Sequence, residues 1–240
     1  MSDPHITQDK NKLAFNVDTR SNFLKILKEI SKKEFNFLVI TGDISFRNPS
    51  LKIYRWVKQK LDILNKNYFL IPGNHDKIDY MGKVFGYKIS KNGNIFYKHE
   101  DKKHVYLFLD SSKNIIDKEQ INYISELSKK NRRKNVVIFM HHPPLIVDCK
   151  YMDKNFSLKN IKNFQKAISK VKNISHIFCG HYHCDKELNL KGIRIHINPS
   201  TFFQIDCKSE DFNIESYLPG YRIIYEENNF KTETKYLMEF

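Results

Sequence analysis

No apolar run in this sequence approaches the ~20 residues that a membrane-spanning helix needs, so no helical anchor is expected. The opening "MSDPHITQDK" has neither the basic start nor the hydrophobic stretch of a secretory signal. The four cysteines (Cys149, Cys179, Cys184 and Cys207) contain no CxxC pair and are too sparse for a disulfide scaffold. Repeats, low-complexity tracts and Pro/Gly/Ser linkers are missing as well. These absences leave a soluble protein of a reducing compartment, read as cytoplasmic, with a single domain over residues 1–240. With 40% hydrophobic residues, among them 18 Phe and 13 Tyr, the chain has ample material for a sizeable core.

Negative charge is also in short supply: the net charge is +14, and basic surfaces collect phosphates. The basic residues are mostly Lys, however, and they are spread along the whole chain with abundant Asn and Ile. Such a spread reads as compositional bias. The group "KKNRRK" (129–134) reads as the cationic end of a helix. No specific nucleic-acid partner and no membrane partner are expected; a basic nucleic-acid-binding module is the rival reading.

What is present is alternation. Short apolar, β-branched and aromatic runs predict strands at 35–40, 67–71, 104–109, 135–140, 175–179, 193–197 and 221–225. Amphipathic patterns predict helices near 19–33, after Pro49, from Asp117 with Gln120 in capping-box position, and from about Ser157. Strand–helix alternation gives an α/β sheet with helices outside. The last third reads as successive strands, a second sheet or an antiparallel extension.

The polar residues then fall at strand ends. "TGD" follows "FLVI", "PGNHD" follows "NYFLI", "HHPP" follows "VVIFM" and "GHYH" follows "HIFC"; "SDPH" opens the chain. Six of the ten histidines lie in these five stretches. Ligands of open α/β sheets gather at the carboxyl ends of strands, so distant stretches can converge. Asp3, His5, Asp43, Asn74, His141, His181 and His183 offer two carboxylates, one amide oxygen and four imidazoles. That set suits two transition-metal ions, Mn or Fe first and Zn second; the absence of thiolate argues against a structural zinc site. Asp43, on the Gly42 turn, is the candidate bridge. An extended "GHYH" backbone would put both imidazoles on one side, one for each ion, and turn Tyr182 away. Each stretch alone has a bland reading: "GD" and "DP" open many turns, and "GNHD" or "HHPP" alone suits a solvent-exposed bend. Their order and placement carry the weight.

The ordered set D-x-H, GD, GNHD, H-x-P and GHxH, here "DPH" (3–5), "GD" (42–43), "GNHD" (73–76), "HHPP" (141–144) and "GHYH" (180–183), resembles the calcineurin-like metallophosphoesterase superfamily. "NPSTFFQID" (198–206) and "SEDFNIESYLPGYRII" (209–224) look like the closing segment of the bacterial class III 3′,5′-cyclic nucleotide phosphodiesterases (CpdA/Icc type), a tail counted as separate from the metal set. The resemblance implies a four-layer α/β/β/α sandwich of two mixed sheets. It assigns Asp3, His5, Asp43 and His183 to one ion, and Asp43, Asn74, His141 and His181 to the other. His75 becomes the catalytic acid and, with Asn74, faces substrate. Asp76 becomes the orienting partner of His75, and His142 the lesser candidate beside His141. The implied reaction is hydrolysis of a phosphodiester, cyclic AMP to 5′-AMP. Alternatives are a nucleic acid, a UDP-sugar lipid precursor, a phosphomonoester, or a metal-dead scaffold that binds protein. The family carries a hydrophobic strand ahead of D-x-H, whereas only Met1 and Ser2 precede Asp3 here. The first strand is thus expected to be truncated, or the true start to lie upstream, with Asp3 and His5 on a loose terminus.

Overall fold

The computed structural model describes residues 1–130, 133–226 and 230–238. Its helices are α1 (Thr19–Ser31), α2 (Leu51–Asp62), α3 (Ile78–Phe85), α4 (Lys118–Lys130), α5 (Lys150–Phe156) and α6 (Ile161–Ile168). The strands are β1 (Phe37–Thr41), β2 (Asn67–Ile71), β3 (Tyr97–Glu100), β4 (His104–Phe108), β5 (Asn135–Phe139), β6 (Ile174–Cys179) and β7 (Lys186–Leu190). They continue with β8 (Ile193–Ile197), β9 (Gln204–Ile205), β10 (Ile214–Ser216), β11 (Gly220–Tyr225) and β12 (Lys231–Tyr236). A six-stranded mixed sheet runs β3-β4-β5-β6-β8-β7, and β1-β2, β9-β10 and β11-β12 form two-stranded ladders. No described helix is long and apolar enough to cross a membrane.

Period-two alternation builds four layers. In β5, Val136 and Ile138 point into one core with Ile124 and Leu127 of α4 and Phe164 and Ile168 of α6. Val137 and Phe139 point the other way, onto Phe37, Val39 and Phe69 of β1 and β2. On the far side of β1, Leu38 and Ile40 pack against Phe23 and Ile26 of α1 and Ile53 and Val57 of α2. The order is helices, large sheet, small sheet, helices, as expected. A strand buried on both faces must be apolar throughout, which is why these runs were so visible.

Every strand expected from the sequence forms. β3, β7, α3 and α5 were not expected, and β9, β10 and β12 fall in the last third, read as successive strands without ranges. They are short or strongly polar: β7 is "KELNL" and β12 "KTETKY". Asp117 caps α4 through a bond from the Gln120 N–H (3.0 Å), but the Gln120 side chain turns away to the Asp110 backbone. The reciprocal half of the capping box is therefore not made. The "KKNRRK" group begins in the last turn of α4 with Lys129 and Lys130, and its Asn131 and Arg132 lie outside the described residues.

The expectation of a loose terminus is corrected. Residues 1–6 are all buried and run beside β1. The Met1 nitrogen donates to the Val39 carbonyl (3.0 Å), Thr41 N–H to Met1 O (3.1 Å), Asp3 N–H to Gly42 O (3.1 Å) and His5 N–H to Asp43 O (2.9 Å). From the other side, Thr201 N–H donates to Ser2 O and the Ser200 hydroxyl to Asp3 O. A cavity of about 550 Å³ between the sheets, lined by Val39, Phe139, Phe178 and Phe230, lies away from the strand-end residues described next.

Candidate metal centre

The C-terminal ends of β1, β2, β5 and β6 deliver "GD", "GNHD", "HH" and "GHYH" to one place, and residues 3–5 enter from the side. Close approach depends on glycine. A Cβ on Gly42, whose φ is +96°, would overlap the His141 ring, and one on Gly180 would overlap Ser2 Oγ and crowd Asp3. Backbone strain marks the same spot. Asp3 (φ 52°), His5 (44°), Asp43 (51°), His181 (69°) and His183 (47°) are all left-handed, a conformation costing roughly 1–2 kcal/mol per non-glycine residue. Strain concentrated this way is held by the surrounding fold.

The side chains form overlapping groups whose ligand atoms lie within 4.8 Å of one another: Asp3/His5/His183, Asp3/Asp43/His141, His5/Asp43/His75 and His141/His142/His181. Asp43 recurs between them, where a bridging carboxylate belongs. Its Oδ2 is 3.6 Å from His5 Nε2, 3.4 Å from His141 Nε2 and 4.0 Å from His75 Nε2. Asn74 Oδ1 is 3.1 Å from His141 Nε2.

Backbone carbonyls fix the imidazole tautomers. His141 Nδ1 faces Thr41 O (2.8 Å), His183 Nδ1 faces Phe203 O (3.0 Å) and His181 Nε2 faces Phe156 O (3.0 Å). A carbonyl only accepts, so each of those nitrogens carries the hydrogen and the other ring nitrogen offers a lone pair. His183 Nε2 then meets His5 Nε2 at 3.2 Å and Asp3 Oδ1 at 3.4 Å. Lone pairs and carboxylates aimed at one another in a buried site repel unless cations sit among them. The donor set therefore fits two metal ions, with the carbonyls as the outer supports that metal-binding histidines normally have. Without them a proton must serve. Burial opposes the His141 imidazolium, but the Asp43 and Asp3 carboxylates outweigh it and raise His141 to about 9. Burial holds His5 and His181 down at about 3.

Two expectations need correction. The "GHYH" backbone is not extended: both histidines are left-handed. The outcome is nonetheless a split pair, with His181 beside His141 and His142, and His183 beside Asp3 and His5. Tyr182 is buried in the outer core, with its hydroxyl on Asp153 (2.9 Å). Asp76 does not orient His75. Its carboxylate accepts from Gly73 N–H (2.9 Å), Ile44 N–H (3.1 Å), Ser45 N–H (3.1 Å) and the Tyr54 hydroxyl (3.0 Å), clamping the "GD" loop to the "GNHD" loop. Burial, then the Asp43 charge, pushes Asp76 up to about 7. His75 itself stands at the mouth, its side chain 33% exposed.

Sequence reasoning missed the supports. Ser111 Oγ holds His142 (2.9 Å to Nδ1) and leaves its buried Nε2 without a partner, with the ring 4.1 Å from that of His181. The "NPSTFFQID" tail, read as separate from the metal set, supplies Phe203 O to His183 and Ser200 Oγ to Asp3. Carbonyls are common to all residues, so no sequence signal marks these.

The calcineurin-like phosphoesterase family matches over residues 1–185, and the chain belongs to it. Among its relatives is a protein of Fibrobacter succinogenes named a probable cyclic nucleotide phosphodiesterase. It is 35% identical over 236 residues, covering 98% of this chain and 91% of that protein. A Vibrio vulnificus protein named 3′,5′-cyclic adenosine monophosphate phosphodiesterase is 28% identical, covering 92% and 82%. The crystal structure of a dimetal phosphatase from Danio rerio shares the fold at a TM-score of 0.70 and 11% identity, covering 98% of this chain and 96% of that one. Fold and family together make the chain a metal-dependent phosphoric diester hydrolase that uses two metal ions.

Proposed function

We propose that residues 1–240 form one metallophosphoesterase domain that opens a 3′,5′-cyclic nucleotide, cyclic AMP first, to the 5′-monophosphate. Asp3, His5, Asp43 and His183 would hold one ion, and Asp43, Asn74, His141 and His181 the other, with Mn or Fe suiting the mixed N/O set and Zn as the second choice. When bound, the two ions lower the pKa of the attacking water and withdraw charge from the phosphoryl oxygens. Two divalent ions would bring +4 against −2 from Asp3 and Asp43, so the loaded site would stay positive and attract a singly charged diester.

The chain's own part follows from placement. Asn74 and His75 stand at the substrate side, and His75 Nε2 gives its proton to the leaving 3′-oxygen, general acid work typically worth 10²–10⁴-fold. Asp76 keeps the two loops that carry Asp43 and His75 in register. Four free cysteines fit a reducing cytoplasm.

The observation that carries a nucleotide over other diesters is an aromatic rim beside His5. Phe46 and Phe202 pack on the His5 ring (6.1 and 5.3 Å). Phe15, 41% exposed, stands against both Phe46 and Phe202, with Arg47 over Phe15 and Phe46 (5.8 and 5.2 Å). Base–aromatic stacking contributes about 1–3 kcal/mol. The test is a Mn²⁺-loaded panel of cyclic AMP, cyclic GMP, 2′,3′-cyclic nucleotides and bis-nitrophenyl phosphate. Cyclic AMP should yield 5′-AMP, and Phe15→Ala should lower kcat/KM for it about tenfold. His75→Ala should lose ~10²-fold or more on cyclic AMP and far less on a nitrophenyl ester. Hydrolysis of bis-nitrophenyl phosphate with none of cyclic nucleotides would assign another diester. Equal losses on both substrates would remove the acid role of His75.

A further inference from the structure

The sequence set its cysteines aside, because spacings of 35 and 23 residues resemble no metal motif. Folding brings three of them together. Cys149 lies just before α5, Cys184 directly follows His183, and Cys207 follows β9; their Sγ atoms are all within 4.8 Å of one another. Cys149 and Cys184 are buried and Cys207 is half-buried. No pair is joined, for all are free thiols. A disulfide within the trio would strand the third sulfur.

We propose that Cys149, Cys184 and Cys207 form a trithiolate site for one soft d¹⁰ cation, Zn²⁺, separate from the dinuclear centre. Metal–sulfur bonds of about 2.3 Å place three sulfurs about 3.8–4.0 Å apart around one ion, so the trio needs only a small contraction. Thiolates favour such an ion, whereas the carboxylate and imidazole set next door suits harder metals. Charge also balances. Three thiolates and Zn²⁺ sum to −1, and Lys186, held by the Val147 and Asp148 carbonyls (3.1 and 2.5 Å), supplies +1. Hydrogen bonds from Cys149 and Cys184, joined by the Lys186 charge, lower the Cys207 thiol to about 4 against its burial, while the same bonds to Cys207 and burial raise Cys149 to about 12 and push Cys184 up. One thiolate is thus shared by two thiols, and a bound cation would have to displace those two protons. The frame is preset: Lys150 N–H donates to Cys207 O (3.0 Å), and Ile205 N–H to His183 O (2.8 Å). An ion here would brace the turn that carries His183.

Co²⁺ titration of the reduced full chain tests this. Carboxylate and imidazole ligands give no thiolate charge-transfer absorption, so a near-ultraviolet sulfur-to-cobalt band reads the new site alone. One such band should reach full strength by three Co²⁺ per chain, since the N/O centre takes two, disappear on adding Zn²⁺, and be lost in Cys207→Ser. Should that variant fold poorly, alkylation of the reduced wild-type chain replaces it, with Zn²⁺ slowing modification of Cys207 at least tenfold and a chelator restoring it. No charge-transfer band in the wild type, a band retained in Cys207→Ser, or alkylation indifferent to Zn²⁺ would each overturn the proposal. So would a disulfide within the trio in freshly reduced protein.

Discussion

At one end of the large sheet, His5, His141, His181 and His183 crowd around two aspartates. In its body, His176 of β6 and His196 of β8 are equally buried, yet nothing about them suggests chemistry. His176 Nδ1 and His196 Nε2 bond to each other at 3.0 Å. Their rings lie nearly parallel (5.3 Å, 11°), and Phe178 stacks on His196 (4.5 Å, 13°). Burial lowers His176 to about 4 and His196 to about 3, so both serve as neutral aromatic filling. The two groups differ in backbone and in company. Three of the four strand-end histidines are left-handed, with His141 in ordinary backbone, and face buried carboxylates; the two in strands have regular backbone and stack on aromatics, the one carboxylate near them being the exposed Glu187, 3.5 Å from His196 Nδ1. A buried histidine is placed to act as a ligand where a turn aims its lone pair at a shared point; burial alone does not do it.

The largest expected break in this contrast is Asp43→Asn. Losing the carboxylate proposed to be shared by both ions should cut turnover of bis-nitrophenyl phosphate by about 10³-fold or more, since several kcal/mol of charge stabilisation go with it. Metal analysis should show fewer than two ions retained in the N/O centre. A loss within a few-fold would deny Asp43 the bridging role.

A middle effect is expected from Gly180→Ala. The added methyl has to displace Ser2 and Asp3, an overpacking cost of about 1–3 kcal/mol. Thermal unfolding should fall accordingly, and metal affinity should fall with it because Asp3 shifts. Unchanged melting would mean that the close approach of these loops is not tight.

The smallest effect sharpens the other side. A histidine whose folded pKa is depressed stabilises fully above its unfolded value near 6.5, and that stability is lost as pH falls toward the folded value. His176→Phe with His196→Phe should therefore leave turnover within about twofold at pH 7.5. The drop in Tm between pH 7 and pH 4.5 should shrink by a few degrees, at about 2–4 °C for each 1 kcal/mol. An identical acid profile in both proteins would mean that the pair titrates normally.

Much of the centre was legible because its chemistry is local in sequence. "GD", "GNHD", "HH" and "GHYH" each follow an apolar run that can only be a buried strand, and parallel strands bring their ends to one edge. Asp76 was misread because a side chain's neighbour in sequence need not be its partner. Four donors from two loops and α2 compete for that carboxylate, and they outnumber one ring. The Phe156 and Phe203 carbonyls were invisible since they belong to the backbone, and the cysteine trio because no short spacing links its members.

The sequence by itself determined the alternation and the identity of the seven ligand-type side chains, because hydrophobic period and residue chemistry are written one position at a time; the layer order came from the family resemblance. Tertiary structure alone decided which nitrogen of each imidazole carries its hydrogen, what holds the first six residues, what Asp76 clamps and which thiols meet. Those outcomes depend on distances between segments remote along the chain, and only the packed sheets set such distances.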